Sequence, residues 1–286
     1  MLAAPSPQIR SPASLGEYFA ELVAARAGIQ DERIKAAFAA VPREAFLGPG
    51  PWPIATGTTG YVLTPGADKA FLYSDVVVGL FPERSLNNGQ PSFHAHCLSA
   101  AALSPGDTVV HVGAGAGYYS AIMAELAGPA GRVEAIEIDA ALAALAERNL
   151  GPWPWAHVAR RSGLEGRLPA ADVIYVNAGV SHPAPSWLDA LKPAGRLLVA
   201  LTVGWGGVVM LFTAREEGMF DARSVLPTGI IPCVGGQDPV MSQRLEDALK
   251  ASAGALPPVR SLRRGTQPDE SCWLEGDGWW LSTAPL

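Results

Sequence analysis

Residues 108–119, Thr-Val-Val-His-Val-Gly-Ala-Gly-Ala-Gly-Tyr-Tyr, constrain the fold of this 286-residue chain more than any other segment. A short apolar strand over 108–112 stops at three alternating glycines. A helix is predicted to follow from Tyr118 through Ile122, Met123 and Leu126. Strand, glycine turn and helix in that order make the ligand corner of a doubly wound α/β sheet. Gly113 lets the chain turn off the strand. Gly115 and Gly117 let main-chain N–H groups approach a ligand where a Cβ would collide, and Ala114 lies between them in the same turn.

The glycines are spaced Gly113-x-Gly115-x-Gly117, not as the G-x-G-x-x-G of a pyrophosphate binder. The tighter form suits S-adenosylmethionine, which has no phosphate. A second strand is predicted over 132–138, with Glu137 near its end, about 20 residues beyond the turn. An acid there accepts both hydroxyl protons of a ribose diol, of adenosine as well as of a dinucleotide. The plainer reading of Glu137 is a solvated carboxylate at a strand end.

Apolar residues make up 49% of the chain, enough for a full core without staples. Cys97, Cys233 and Cys272 are odd in number and far apart, which fits neither a disulfide framework nor a zinc spacing and suits a reducing cytoplasm. A net charge of -6 argues against nucleic acid held by bulk electrostatics. Residues 1–14, rich in Pro, Ser and Ala, read as a disordered leader and lack the pattern of a secretory signal. The nearly uncharged run 197–214 has the length of a membrane span. Gly204-Trp-Gly-Gly207 breaks it in the middle, so two buried strands joined by a glycine turn are predicted and no membrane is expected.

Helices are predicted over 15–27 and, after the N-cap Asp31, over 32–40, where Pro42 forbids continuation. Residues 48–67 read as a long loop, part of a lid or a wrap over the core. An apolar stretch over 76–81, a turn at Asn88-Gly89 and a helix over 91–101 complete an N-terminal region, 15–101. The core, 102–237, continues with a helix over 140–150, strands over 157–160 and 172–178, a helix over 185–191, and strands over 196–201, 208–213 and 225–232. The tail, 238–286, reads as a helix over 240–251 and a tryptophan-rich hairpin around Gly276-Asp-Gly278. That hairpin packs on the domain, caps a pocket, or provides a homo-oligomer contact.

Val41-Pro-Arg-Glu-Ala-Phe46, Tyr73-x-Asp75, Gly89-Gln-Pro91 ahead of a helix, and the turn ending in Gly117-Tyr118 occur in this order. Over residues 15–235 the set resembles the protein-L-isoaspartate O-methyltransferase family. The resemblance implies a Rossmann-like class I methyltransferase fold: a seven-stranded, mostly parallel sheet with helices on both faces and an antiparallel final pair. It implies S-adenosyl-L-methionine as donor, S-adenosyl-L-homocysteine as product, and a carboxyl acceptor on a protein, peptide or small molecule. The cofactor-side positions are then His111, Gly113, Ala114, Gly115, Gly117, Tyr118, Glu137, Ser162, Gly163 and Asn177.

Three positions depart from the family pattern. His111 stands where the family has an acid near the amino-acid end of the cofactor; it either hydrogen-bonds there or is a buried, satisfied histidine. Ser162 replaces an adenine-side Asp. Gly89 replaces the Ser of Ser-x-Pro, removing a hydroxyl beside the reacting carboxylate; Asn88, Gln90 and Ser92 are the candidates to stand in. A carboxylate acceptor is already a nucleophile at neutral pH, so alignment and desolvation carry its catalysis. A hydroxyl or amine acceptor needs a base, for which His94 and His96 are the candidates. Two apart on a helix, they face different ways, and no metal site is expected. The alternatives are the same fold and donor with a natural-product or modified-peptide acceptor, and a non-catalytic scaffold that binds through its tail.

Overall fold

The computed structural model describes residues 12–57, 60–216 and 218–286. Of the leader expected over 1–14, residues 1–11 lie outside the described residues. Ser14 belongs to the first helix, α1 (Leu15–Ala27): its Oγ accepts the Glu17 N–H at 3.1 Å, and Gly28, at φ 67°, ends the helix. Asp31 caps α2 (Glu32–Ala40) in the same way. The loop expected over 48–67 carries a small antiparallel hairpin, β1 (Pro53–Ala55) with β2 (Tyr61–Leu63). A second pair follows, β3 (Gly79–Phe81) with β4 (Leu86–Asn87). Strands of two or three residues are too short for the alternation that reveals a strand in sequence.

Pro91, at the first helical position, opens α3 (Pro91–Ala101). The core then runs β5 (Thr108–Val112), α4 (Tyr118–Ala127), β6 (Arg132–Glu137), α5 (Ala140–Asn149), β7 (Ala156–Arg160), β8 (Ala171–Val180), α6 (Pro185–Asp189), β9 (Leu191–Val203), β10 (Gly206–Ala214) and β11 (Met219–Gly229). The membrane-length run is the β9–β10 hairpin, turned at Gly204. Among the described residues, no helix is long and apolar enough to cross a membrane. The tail adds α7 (Pro239–Ala251), β12 (Ser261–Arg264), β13 (Cys272–Gly276) and β14 (Trp279–Ser282).

The sheet order is β13-β14-β12-β11-β10-β9-β8-β5-β6-β7. The five strands from β9 to β7 are parallel, and β9-β10-β11 is an antiparallel meander. Seven strands were expected here, and the last differs in its bounds: expected over 225–232, it runs Met219–Gly229. A further difference is that the tail continues the same sheet to ten: β12 pairs with Met219–Asp221 of β11, and the hairpin forms the outer edge. Four residues reading Ser-Leu-Arg-Arg gave β12 no strand signal.

Both faces of the sheet are covered, so β5 is apolar without alternation. Val109 joins a core with Phe19, Phe38, Leu98 and Met123, while Val110 and Val112 join another with Trp187, Phe212, Leu245 and Trp279. From β5 the chain moves one way through β6 to β7, and later the other way from β8 to β9. The carboxyl ends of β5 and β8 therefore mark the switch point where such sheets take ligands.

Candidate active site

A crevice of about 1210 Å³ opens at that switch point. On one side it is lined by Gly113, Gly115, Glu137, Ser162, Gly163 and Asn177, and on the other by Gly89, Gln90, Ser92, Phe93 and His94.

The donor side is built mainly from backbone. Glu137 is only 6% exposed. Its Oε2 accepts the Gly115 N–H at 2.7 Å and its Oε1 the Asp139 N–H at 2.9 Å. Burial raises its pKa and these two N–H groups pull it back down. Each oxygen keeps acceptor capacity for a ribose hydroxyl. A Cβ on Gly113 would lie 2.9 Å from the Asn177 carbonyl oxygen, whereas one on Gly115, at φ 59°, would meet nothing within 4 Å. The corner thus keeps open space in front of Gly115.

One expectation changes here. The turn was expected to offer its N–H groups to a ligand. Those of Gly113 and Ala114 both donate to the Ile136 carbonyl, that of Gly117 to the Ala114 carbonyl, and that of Gly115 to Glu137. The glycines give the corner its shape and clearance, and the Glu137 carboxylate is the polar group that bonds to it.

The other cofactor-side positions divide. Asn177 sits where the β8–β9 register shifts between Val176 and Gly179, and its Nδ2 donates to the Gly113 carbonyl at 3.2 Å. Ser162 Oγ accepts the Leu164 N–H. A Cβ on Gly163 would strike Val112 at 2.3 Å, so only glycine fits there. His111, Ala114, Gly117 and Tyr118 support the corner from behind and do not line the crevice. Tyr118 packs edge-on against Phe38 and Phe46, and Gly117 lies against Ala146 and Leu150. His111 is fully buried: Nδ1 meets Ser120 Oγ at 2.8 Å, Nε2 has no partner among the described residues, and burial lowers its pKa to about 3. It is buried as the second alternative expects, but only Nδ1 is satisfied among the described residues.

The acceptor side depends on a knot of side chains. The Arg43 guanidinium, 0% exposed, donates to the carbonyls of Leu72, Ser74 and Val76 and lies 3.5 Å from Asn88 Oδ1. Asn88 Oδ1 also accepts the Val78 N–H, so Asn88 holds the segment together and stays out of the crevice. Asp75 accepts the Ser92 N–H at 2.8 Å, the Ser92 hydroxyl at 2.7 Å and the Gln90 amide at 3.0 Å. Gln90 and Ser92 reach the crevice with these atoms already engaged. The family marks at 41–46, 73–75 and 89–91 therefore meet in space. Sequence reasoning missed the Arg84–Asp139 ion pair, which ties the segment after β3 to the cap of α5. Arg84 shows no spacing signal relative to Asp139. Among the described residues, no group of three or more His, Cys, Asp or Glu is placed to hold a metal ion.

A sequence profile described as Protein-L-isoaspartate(D-aspartate) O-methyltransferase (PCMT) matches residues 18–238. The chain belongs to the protein-L-isoaspartate(D-aspartate) O-methyltransferase family. It is 31% identical over 228 residues to the protein-L-isoaspartate O-methyltransferase of Methylorubrum extorquens, covering 74% of this chain and 86% of that one. It is 36% identical over 220 residues to that of Rhodopseudomonas palustris, covering 75% and 90%. A solved protein-L-isoaspartate O-methyltransferase superposes with TM-score 0.65 at 24% identity, covering 82% of this chain and 69% of that one. A Plasmodium falciparum structure described as such a methyltransferase, in complex with S-adenosyl-L-homocysteine, gives 0.62 at 17% identity, covering 76% and 97%. These two likenesses establish the class I fold. The methyl donor of the family is S-adenosyl-L-methionine, and the open, phosphate-free corner closed by Glu137 fits it.

Proposed function

We propose that this family member transfers the methyl group of S-adenosylmethionine to the free α-carboxylate of an isoaspartyl residue in a protein or peptide. The observation that carries the reading is the single crevice joining Glu137 and the glycine corner to the wall of Gly89, Gln90 and His94. Bound S-adenosylmethionine supplies a methyl group activated on sulfonium sulfur. The chain supplies alignment: Glu137 holds the sugar, Gly113 and Gly115 clear the space beside it, and the acceptor wall turns the carboxylate toward the methyl. An α-carboxylate with a pKa of about 3.5 is ionised at neutral pH and needs no base. The protein's work is to position it and to exclude water. The free thiols Cys97, Cys233 and Cys272 suit a reducing, cytoplasmic setting for this activity.

The test is tritiated methyl transfer to a synthetic isoaspartyl peptide, with the ordinary aspartyl peptide as control. Labelling of the isoaspartyl form alone is expected. Absence of labelling by protein that binds S-adenosylhomocysteine would sink the acceptor assignment while leaving the donor assignment standing.

A further inference from the structure

We propose that His94 holds one oxygen of the acceptor carboxylate through its Nε2–H, in the place where the family pattern carries the hydroxyl of Ser-x-Pro. The inference rests on the acceptor reading above and names the group that replaces the missing hydroxyl.

The geometry links the two positions. Gly89 has φ 71°, and a Cβ built on it would lie 2.3 Å from His94 Nε2 and 2.9 Å from His94 Cδ2. The edge of the imidazole already fills the space a side chain at 89 would enter. The ring cannot swing aside cheaply. It stacks on Tyr119 with centroids 3.6 Å apart and planes at 22°, and its Nδ1 lies 2.8 Å from the Tyr175 hydroxyl. Gly89 and His94 both line the crevice, and Nε2 makes no hydrogen bond among the described residues. Glycine at 89 is thus the counterpart of histidine at 94, three residues into the first turn of α3.

The contact between Nδ1 and the Tyr175 hydroxyl links the ring's tautomer to the direction in which the phenol points its proton. Tyr175 is a neutral phenol, its pKa pushed well above its usual range by burial, with the Cys97 thiol beside it. When Tyr175 donates its proton to Nδ1, the ring proton must sit on Nε2, facing the crevice. Burial holds the ring itself neutral, its pKa well below the ordinary histidine value. A neutral N–H orients a carboxylate without damping its nucleophilicity as an imidazolium would. In the reaction a carboxylate oxygen bonds to the methyl carbon, the carbon–sulfur bond breaks, and its electron pair stays on sulfur. No proton moves, so His94 orients without titrating.

The experiment combines kinetics with ¹⁵N NMR of the imidazoles of the full-length protein, the His94 signals being identified by their loss in His94→Gln. An Nε2-protonated neutral ring is expected. His94→Leu should raise KM for the isoaspartyl peptide at least tenfold while the Kd for S-adenosylhomocysteine stays within twofold. His94→Gln, which keeps an amide N–H, should stay within about threefold of wild type. If His94→Leu fails to fold, Tyr175→Phe replaces it, with the same rise in KM and a shift of the ring proton to Nδ1. An Nδ1-protonated ring in the wild type overturns the proposal whether or not the peptide is methylated. So does an unchanged KM in the Leu variant. A wild type that does not label the peptide strikes the acceptor reading instead.

Discussion

The donor corner stands on the ends of three parallel strands, whereas the acceptor wall stands on residues 72–92, whose regular elements before α3 are the short strands β3 and β4 and a 3-10 turn at Pro82–Arg84. In the first, most backbone groups bond to backbone groups, and the Glu137 carboxylate lines the crevice while holding the Gly115 N–H. In the second, a buried guanidinium, without a carboxylate partner among the described residues, holds three carbonyls of the irregular chain. The sheet defines its corner through topology; the wall is defined by one arginine. Loss of a single side chain should therefore damage the two halves very differently.

The largest effect is expected from Arg43→Leu, which leaves the carbonyls of Leu72, Ser74 and Val76 buried without donors. A loss of about 3 kcal/mol in urea unfolding is expected. The folded fraction should bind S-adenosylhomocysteine within twofold of wild type while KM for the acceptor rises. An equal loss of donor affinity would show that the halves are one unit.

Next is Glu137→Ala. Removing the carboxylate should weaken S-adenosylhomocysteine binding by about 2 kcal/mol, roughly 30-fold, measured by calorimetry. Acceptor KM should move little, and an unaltered Kd would take Glu137 out of the sugar site.

At neutral pH the smallest effect concerns the histidine sealed beneath the donor strand. His111 has a folded-state pKa of about 3, against an unfolded value of about 6.5. The unfolded chain therefore binds the extra proton between those values. The stability from keeping this ring neutral is complete above about pH 6.5 and is lost as pH falls toward about 3, at up to ~1.4 kcal/mol per pH unit. His94 is shifted in the same direction and steepens the fall. Glu137, raised by burial, opposes it. His111→Gln should flatten the dependence of unfolding free energy on pH between 6.5 and 4.5 relative to wild type. An unchanged slope would mean that His111 is solvated.

The same contrast explains what could be read in advance. Val109 to Val112, the glycine turn and Glu137 were legible because a parallel strand buried on both faces leaves an apolar run, and a turn without Cβ atoms leaves glycines. The destination of the turn's N–H groups was not legible, since pairing with the Ile136 carbonyl leaves no mark on composition. At the acceptor wall, the ordered marks at 41–46, 73–75 and 89–91 were visible. Their convergence through Arg43 and Asp75 was not, because contacts across 31 and 17 positions of largely irregular chain follow no period. Gly89 read as a lost hydroxyl, and only the coordinates place the His94 ring against it.

The way the tail is joined to the sheet has a consequence for how this fold can be altered. Strand β12 grips β11 at Met219–Asp221, while the crevice is lined by the opposite end of the same strand, at Leu226, Pro227, Thr228 and Gly229. Growth at one end of β11 leaves the reaction chamber at the other end untouched. A fusion or exchange of modules beyond residue 238 therefore has a route onto this scaffold that bypasses its chemistry, provided Phe212, Phe220 and Ala222, which share a buried cluster with the tail, keep a cover.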